Sequence, residues 1–257
     1  MNDVLRFTSE NVSEGRKVAL ITVTATRGSS PATVGQMMAV LADGTTVGTI
    51  GGGASEHQTI IKAIEAITNG DATFSLSINH ADSGMTCGGG MEAFGNIIGN
   101  HVGLCIFGGG HIAQSLARVA TQAGFYVTVV EDRQELSTNF KSVNYIVSKP
   151  DEYEKSDPTS LADYVVICTR GHSFDTDALR YCLTKDLKYI GMIGSRAKVA
   201  TLFSRLKDEG VSQAELDKIY TPVGLDIASE APSEIAIAIT AEILLIKNDG
   251  KLKHKRD

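Results

Sequence analysis

Cys87 sits in the stretch GMTCGGGMEAF, residues 84–94, with Gly88, Gly89 and Gly90 directly after it. A thiolate there can attack an electrophile, carry sulfur or bind a soft metal. Glycine loses more conformational freedom on ordering than any other residue, so a run of it marks unusual dihedrals or a close approach to the backbone. The plain alternative is a small buried hydrophobe beside a turn. Two more stretches among the first hundred residues have the same character. In TRGSSPATVGQMMAV, Arg27, Gly28, Ser29, Ser30 and Pro31 make a polar loop able to bind an anion. In TIGGGASE, Gly51, Gly52 and Gly53 allow a backbone to approach a flat ring. Glu56 opens the helix that follows, where the dipole favours a carboxylate with or without a ligand.

A second set of signals begins at residue 104. LCIFGGGHIAQSLARVATQAGFYVTVVEDR reads as a strand, a Gly108-x-Gly110-x-x-Ala113 turn, a helix from His111, then Gly124 and a second strand ending at Glu131 and Asp132. The glycines permit a tight turn and let amides at the helix start face a phosphate. Glu131 or Asp132 is placed to receive a ribose hydroxyl, which favours NAD, while Arg133 leaves NADP open. Three later segments also follow strands. TRGHSFDTDAL offers Arg170, His172 and Asp175; GSRAK puts Gly194, Ser195, Arg196 and Lys198 at a helix start, an anion site; TPVGLDIASEAPSEIA brings Pro222, Gly224, Asp226 and Glu234 near the last helix. Each alone reads as a turn with capping residues. Together, at one sheet edge, they read as a ligand crevice.

Two kinds of domain must position these groups. Residues 1–99 read as a small α+β domain. RKVALITVTAT, GQMMAVLADGTTVGTI, ATFSLSIN and MEAFGNII give strands, the second stretch turning at Asp43-Gly44, and SEHQTIIKAIEAITNG gives a helix with Ile60, Ile61, Ile64 and Ile67 at helical spacing. Residues 100–257 alternate strand and helix, the pattern of a Rossmann-like, doubly wound parallel sheet. Its strands are GLCIF, YVTVV, NYIV, DYVVIC and KYIGMI, apolar enough to be covered on both faces, and PSEIAIAITAEILLIKN is a closing helix. The expected fold class is therefore α/β, a small N-terminal domain followed by a Rossmann-like one.

Composition narrows the partners. The 257 residues are 42% hydrophobic and 21% charged, with a formal net charge of -6. The one basic stretch, KLKHKRD, is short, so nucleic acid is not expected. No apolar run reaches the roughly 20 residues of a membrane helix. The beginning MNDVLRFTSENV has neither a basic leader nor a signal-type apolar core, so the expected location is the cytoplasm, away from membranes. Cys87, Cys105, Cys168 and Cys182 show no C-x-x-C spacing, which suggests neither zinc nor disulfides, and the last three fall in core-like segments.

In this order the segments resemble the xanthine dehydrogenase accessory protein family, XdhC/CoxI. The likeness rests on the GSSP…G…M.V..DG…G.I.GG..E pattern, the GM.CGG loop, the glycine turn, TRGH..D…L, YIGMIGSR.K and P.GLDI….P.EIA…AEI, and covers nearly the whole chain. It implies a protein that binds molybdenum cofactor (molybdopterin), shelters it while it gains its sulfido ligand, and inserts it into a xanthine dehydrogenase-type molybdenum hydroxylase. A cysteine desulfurase is a further implied partner, and the expected assembly is a homodimer. Cys87 becomes the candidate metal ligand, with Arg27, Ser29 and Ser30 near it. Gly108, Gly110, Ser195, Arg196 and Lys198 would face phosphate, in a ligand crevice expected between the domains. Many members carry a cysteine directly after the first glycine pair; here Gly53 and Ala54 follow, and that second thiol is missing.

Under this reading no residue is catalytic. Two other readings stay open. An NAD(P)-dependent oxidoreductase would use His172 as its acid or base. A regulatory nucleotide-binding module would use the glycine loops only as turns.

Overall fold

Val18–Arg27 (β1), a strand of an antiparallel sheet, sends Ala19, Ile21 and Val23 to one buried face and Val18 to the other. The computed structural model describes residues 1–79, 89–99, 102–141, 143–160, 162–227 and 230–253, so Cys87 and Gly88 lie outside the described residues. The chain divides into two units, Met1–His101 and Val102–Asp257.

The first unit runs α1 (Asn2–Ser13), β1, β2 (Met37–Leu41), β3 (Thr46–Gly48), α2 (Gly53–Asn69), β4 (Thr73–Asn79) and β5 (Gly90–Ile98). Its strands pair antiparallel in the order β3-β2-β1-β5-β4. Ala63, Ala66 and Ile67 of α2 pack on Ile21, Met38 and Ile97 on one face. Val4 of α1 joins Val18, Ala39 and Leu41 in a smaller cluster. The sequence pattern does not announce α1, because Val4 is its one fully buried hydrophobic residue, Phe7 and Val12 are only partly buried against the same cluster, and Leu5 is left 44% exposed. A register shift between Val23 and Ala25 brings Arg27 opposite Gly90.

The second unit runs β6 (Val102–Phe107), α3 (His111–Gln122), β7 (Phe125–Glu131), β8 (Asn144–Val147), α4 (Tyr153–Ser156), β9 (Tyr164–Ile167), α5 (His172–Leu183), β10 (Tyr189–Met192), α6 (Arg196–Asp208), α7 (Gln213–Leu216), β11 (Ile219–Tyr220) and α8 (Pro232–Lys247). Its strands are parallel, in the order β11-β10-β9-β6-β7-β8, so the order reverses between β6 and β9. In open α/β sheets, ligands bind outside the strand ends at such a reversal. Leu179, Leu202 and Leu206 from α5 and α6 cover one face with Val165 and Ile167. Leu116, Ala120, Ile239 and Ile243 from α3 and α8 cover the other with Leu104 and Ile106. The Rossmann-like sheet expected from the sequence is present, with β11 as an additional two-residue edge strand. No described helix is long and apolar enough to cross a membrane.

Candidate functional site

In the first unit the glycine signals converge on one loop, residues 27–32. A Cβ on Gly89 would overlap the Ser29 carbonyl and lie 2.7 Å from the Arg27 carbonyl. A Cβ on Gly51, whose φ is +113°, would lie 2.8 Å from the Ala32 nitrogen. Both glycines therefore admit the chain's own backbone. Gly52, the N-cap of α2, has no atom within 4 Å of where a Cβ would be, and Gly53 begins the helix. Glu56 holds the turn together: its Oε2 accepts from the Ile50 and Gly52 amides at 3.1 Å each and from the Thr49 hydroxyl at 2.5 Å. Arg27 Nη2 donates to Glu92 Oε1 at 2.5 Å, with the arginine side chain 74% exposed. Ser29 is exposed, and Ser30 Oγ accepts from the Ala32 amide at 3.2 Å. Among the described residues no group of three or more His, Cys, Asp or Glu could hold a metal.

In the second unit the turn after β6 lies at the reversal. Gly108 has φ +116°, and a Cβ there would overlap the Cys168 carbonyl. This glycine seats the end of β6 against the end of β9. Gly110 does something different: it caps α3 with φ -70°, no side chain caps the helix, and nothing stands within 4 Å of a Cβ built there. Gly171 caps α5 in the same open way. His111 is exposed on the first turn of α3. His172 starts α5, and its side chain is outside the described part.

The start of α6 is capped by a side chain of its own. Ser195 Oγ accepts from the Lys198 amide at 3.3 Å, and Lys198 Nζ pairs with Asp175, which is 1% exposed. Asp175 also accepts from the Thr169 hydroxyl at 2.6 Å. Gly194 precedes this turn, where a Cβ would lie 3.2 Å from Val199 Cγ2, and Arg196 is exposed. Two residues expected to face an anion and a ligand, Lys198 and Asp175, thus face each other.

Glu131 points back at the glycine turn. Its Oε2 accepts from the Gly109 amide at 2.6 Å and from Arg133 Nη2 at 3.0 Å, while Oε1 accepts from Arg133 Nε at 2.8 Å. Burial pushes this carboxyl up, but hydrogen bonds from Arg133, Asp132 and Gly109 outweigh it and bring it down to about 2. Asp132, raised by its hydrogen bond with Glu131, pairs with Arg170 at 2.7 Å, and the guanidinium lies 5.4 Å from the Phe174 ring centroid. The crevice between Gly108, Glu131, Asp132, Thr169 and Arg170 measures about 20 Å³, room for about one water.

The other described thiols are pushed toward the protonated form. Cys168 is pushed up to about 12 by burial and by the Asp175 and Glu131 charges, and burial also raises Cys105 and Cys182. Beyond β11, Gly224 donates its amide to Glu242 Oε2 at 3.1 Å, and Tyr189 donates its hydroxyl to the same oxygen at 2.5 Å. Pro222 and Asp226 are exposed on this tethered loop, and Glu234 lies in the first turn of α8. Sequence reasoning passed over Glu242, Thr169 and Glu92. A lone carboxylate in the apolar run ITAEILLI was the available signal for the first.

Fold and site define a Rossmann-type α/β protein with an antiparallel N-terminal unit and glycine-bounded turns in each. The chain matches the XdhC Rossmann domain over residues 104–243 and the XdhC and CoxI family over residues 12–77. It belongs to the XdhC and CoxI family. It is 30% identical over 240 residues to the uncharacterized protein YqeB of Escherichia coli K12, covering 90% of this chain and 44% of that protein. It is 29% identical over 144 residues to a Bacillus subtilis 168 protein described as a probable xanthine dehydrogenase subunit, covering 55% of this chain and 42% of that one. The matches thus span less than half the length of these relatives. A solved structure described as a xanthine dehydrogenase from Bacillus halodurans aligns over 96% of both chains with a TM-score of 0.52 at 20% identity, a likeness of fold.

Proposed function

We propose that this chain is an accessory protein that binds molybdenum cofactor and assists its sulfuration and insertion into a xanthine dehydrogenase-type molybdenum hydroxylase. Membership of the XdhC and CoxI family carries the reading. The names of the Bacillus relatives add the link to a xanthine dehydrogenase system. A cysteine desulfurase as sulfur donor and a homodimeric assembly belong to the same proposal.

Parts of the described structure suit such a ligand. Gly110 and Gly171 leave the first amides of α3 and α5 without side-chain acceptors, which favours a phosphate group. In the first unit, Gly52 offers open backbone, and Ser29 and Ser30 put hydroxyls on the loop whose Ala32 packs against Gly51. When bound, the cofactor supplies a soft, sulfur-rich molybdenum centre, for which Cys87 is the thiolate this sequence provides. The chain's own work is to hold the phosphate, orient the ring and cover the metal end from water.

The strand order and the glycine turn also support an NAD(P)-dependent oxidoreductase. One observation weighs against it: Glu131, the acid placed to receive a ribose hydroxyl, has both oxygens engaged by Gly109 and Arg133. A deletion strain separates the two. The accessory reading predicts that the host's hydroxylase accumulates inactive, that the wild-type gene restores it, and that Cys87→Ser does not. Full hydroxylase activity in the deletion strain contradicts it.

A further inference from the structure

Parallel strands put all their starts at one edge of a sheet, so the beginnings of β10 and β11 lie at the end opposite the glycine turn. There the second unit holds a larger cavity of about 300 Å³. Leu183, Leu187 and Ile190 give it apolar surface. Tyr220 gives it an aromatic wall, stacked on the buried Tyr189 with ring centroids 4.7 Å apart and planes 28° from parallel. Tyr220 remains 39% exposed on the edge strand.

Charge at the rim is unevenly committed. Lys185 pairs with Asp157 and Lys188 with Asp163, each at 3.2 Å. Lys218 and Asp186 line the same cavity, and neither is in an ion pair among the described residues. Asp217, next to Lys218 in sequence, accepts from Gln213 Nε2 at 2.6 Å, and Glu215, which lines the cavity and is held low by Ser212 and by the Lys218 charge, is engaged in the capping box of α7. The cavity therefore combines an aromatic face with an ammonium, near Glu215, and a carboxylate that form no ion pair among the described residues.

We propose that this cavity binds a purine nucleoside monophosphate, with the base against Tyr220, the phosphate at Lys218 and a base N–H or ribose hydroxyl donating to Asp186. A ring of any base can stack on an aromatic side chain, and a lysine ammonium meets phosphate as a compact point charge. An aromatic acid without N–H or O–H donors leaves Asp186 unused, and inorganic phosphate leaves Tyr220 unused. The volume lies at the small end of ligand pockets, which suits a mononucleotide and is tight for a dinucleotide. This site is separate from the cofactor reading above, and either can fail alone.

Calorimetric titration of the full chain with AMP and GMP, beside adenosine and inorganic phosphate, tests it. The expected result is a Kd below about 1 mM for at least one nucleotide, about tenfold tighter than adenosine or phosphate. Tyr220→Ala and Lys218→Ala should each weaken binding about tenfold, with Lys218→Arg keeping most of it. Gly110→Asp, at the opposite end of the sheet, should leave it unchanged. Lys218 is exposed, so its variants keep the test decisive if Tyr220→Ala fails to fold. Absence of nucleotide binding below about 1 mM overturns the proposal. So does phosphate binding as tight as nucleotide, or binding lost in Gly110→Asp and kept in Lys218→Ala.

Discussion

Glu131 shows how one carboxylate can shape a turn. It is 5% exposed, accepts the Gly109 amide and holds Arg133 by two hydrogen bonds. Its carboxyl titrates near 2 in the folded chain against 4.5 for an ordinary glutamate. A depressed folded-state value contributes stability that is present above the ordinary value and lost as pH falls through the folded one. Glu131→Gln can still accept from Gly109 but leaves Arg133 without its ion pair, a loss of about 1–3 kcal/mol at neutral pH. Thermal melting should show this difference at pH 7 and see it shrink between pH 4.5 and 2. A difference independent of pH contradicts the assignment. The sequence marked Glu131 as the acidic end of a strand but not the direction of its side chain. That direction depends on Arg133 and on the turn packed 22 positions earlier in the chain.

At the scale of elements, glycines that look alike in GGGH have unlike roles. Gly108 needs a positive φ and close contact with the Cys168 carbonyl, whereas Gly110 has an ordinary φ and open space. Gly108→Ala should therefore cost at least about 1–3 kcal/mol from the backbone alone. A melting point lower by several degrees follows, at roughly 2–4 °C per kcal/mol. Gly110→Ala should melt like the wild type; equal losses in both would refute the distinction. Strands, the long helices and their alternation were legible because apolar runs and turn residues repeat at regular spacing. α1 and β11 were not. α1 anchors through Val4 with Phe7 and Val12 only partly buried, and β11 has two residues, too few for any period to register. The pairing of Arg27 with Glu92 also escaped, because it depends on the register shift between Val23 and Ala25.

At the scale of the molecule, each buried cluster among the described residues draws on one unit. Those built on β1, β2, β4 and β5 stay within residues up to Ile97, and those of the parallel sheet begin at Leu104. A domain with its own hydrophobic core can in principle fold alone. The fragment Val102–Asp257 should therefore unfold in one cooperative transition, and a gradual, non-cooperative loss of signal would contradict that. The proposed ligand is tested most directly by measuring molybdenum and oxidised pterin per chain in protein purified from a host that makes the cofactor, wild type beside Cys87→Ala. Pterin and metal bound to the wild type, with the metal reduced in the variant, is the predicted result. A wild-type chain carrying neither, and binding NAD(P) instead, would contradict it.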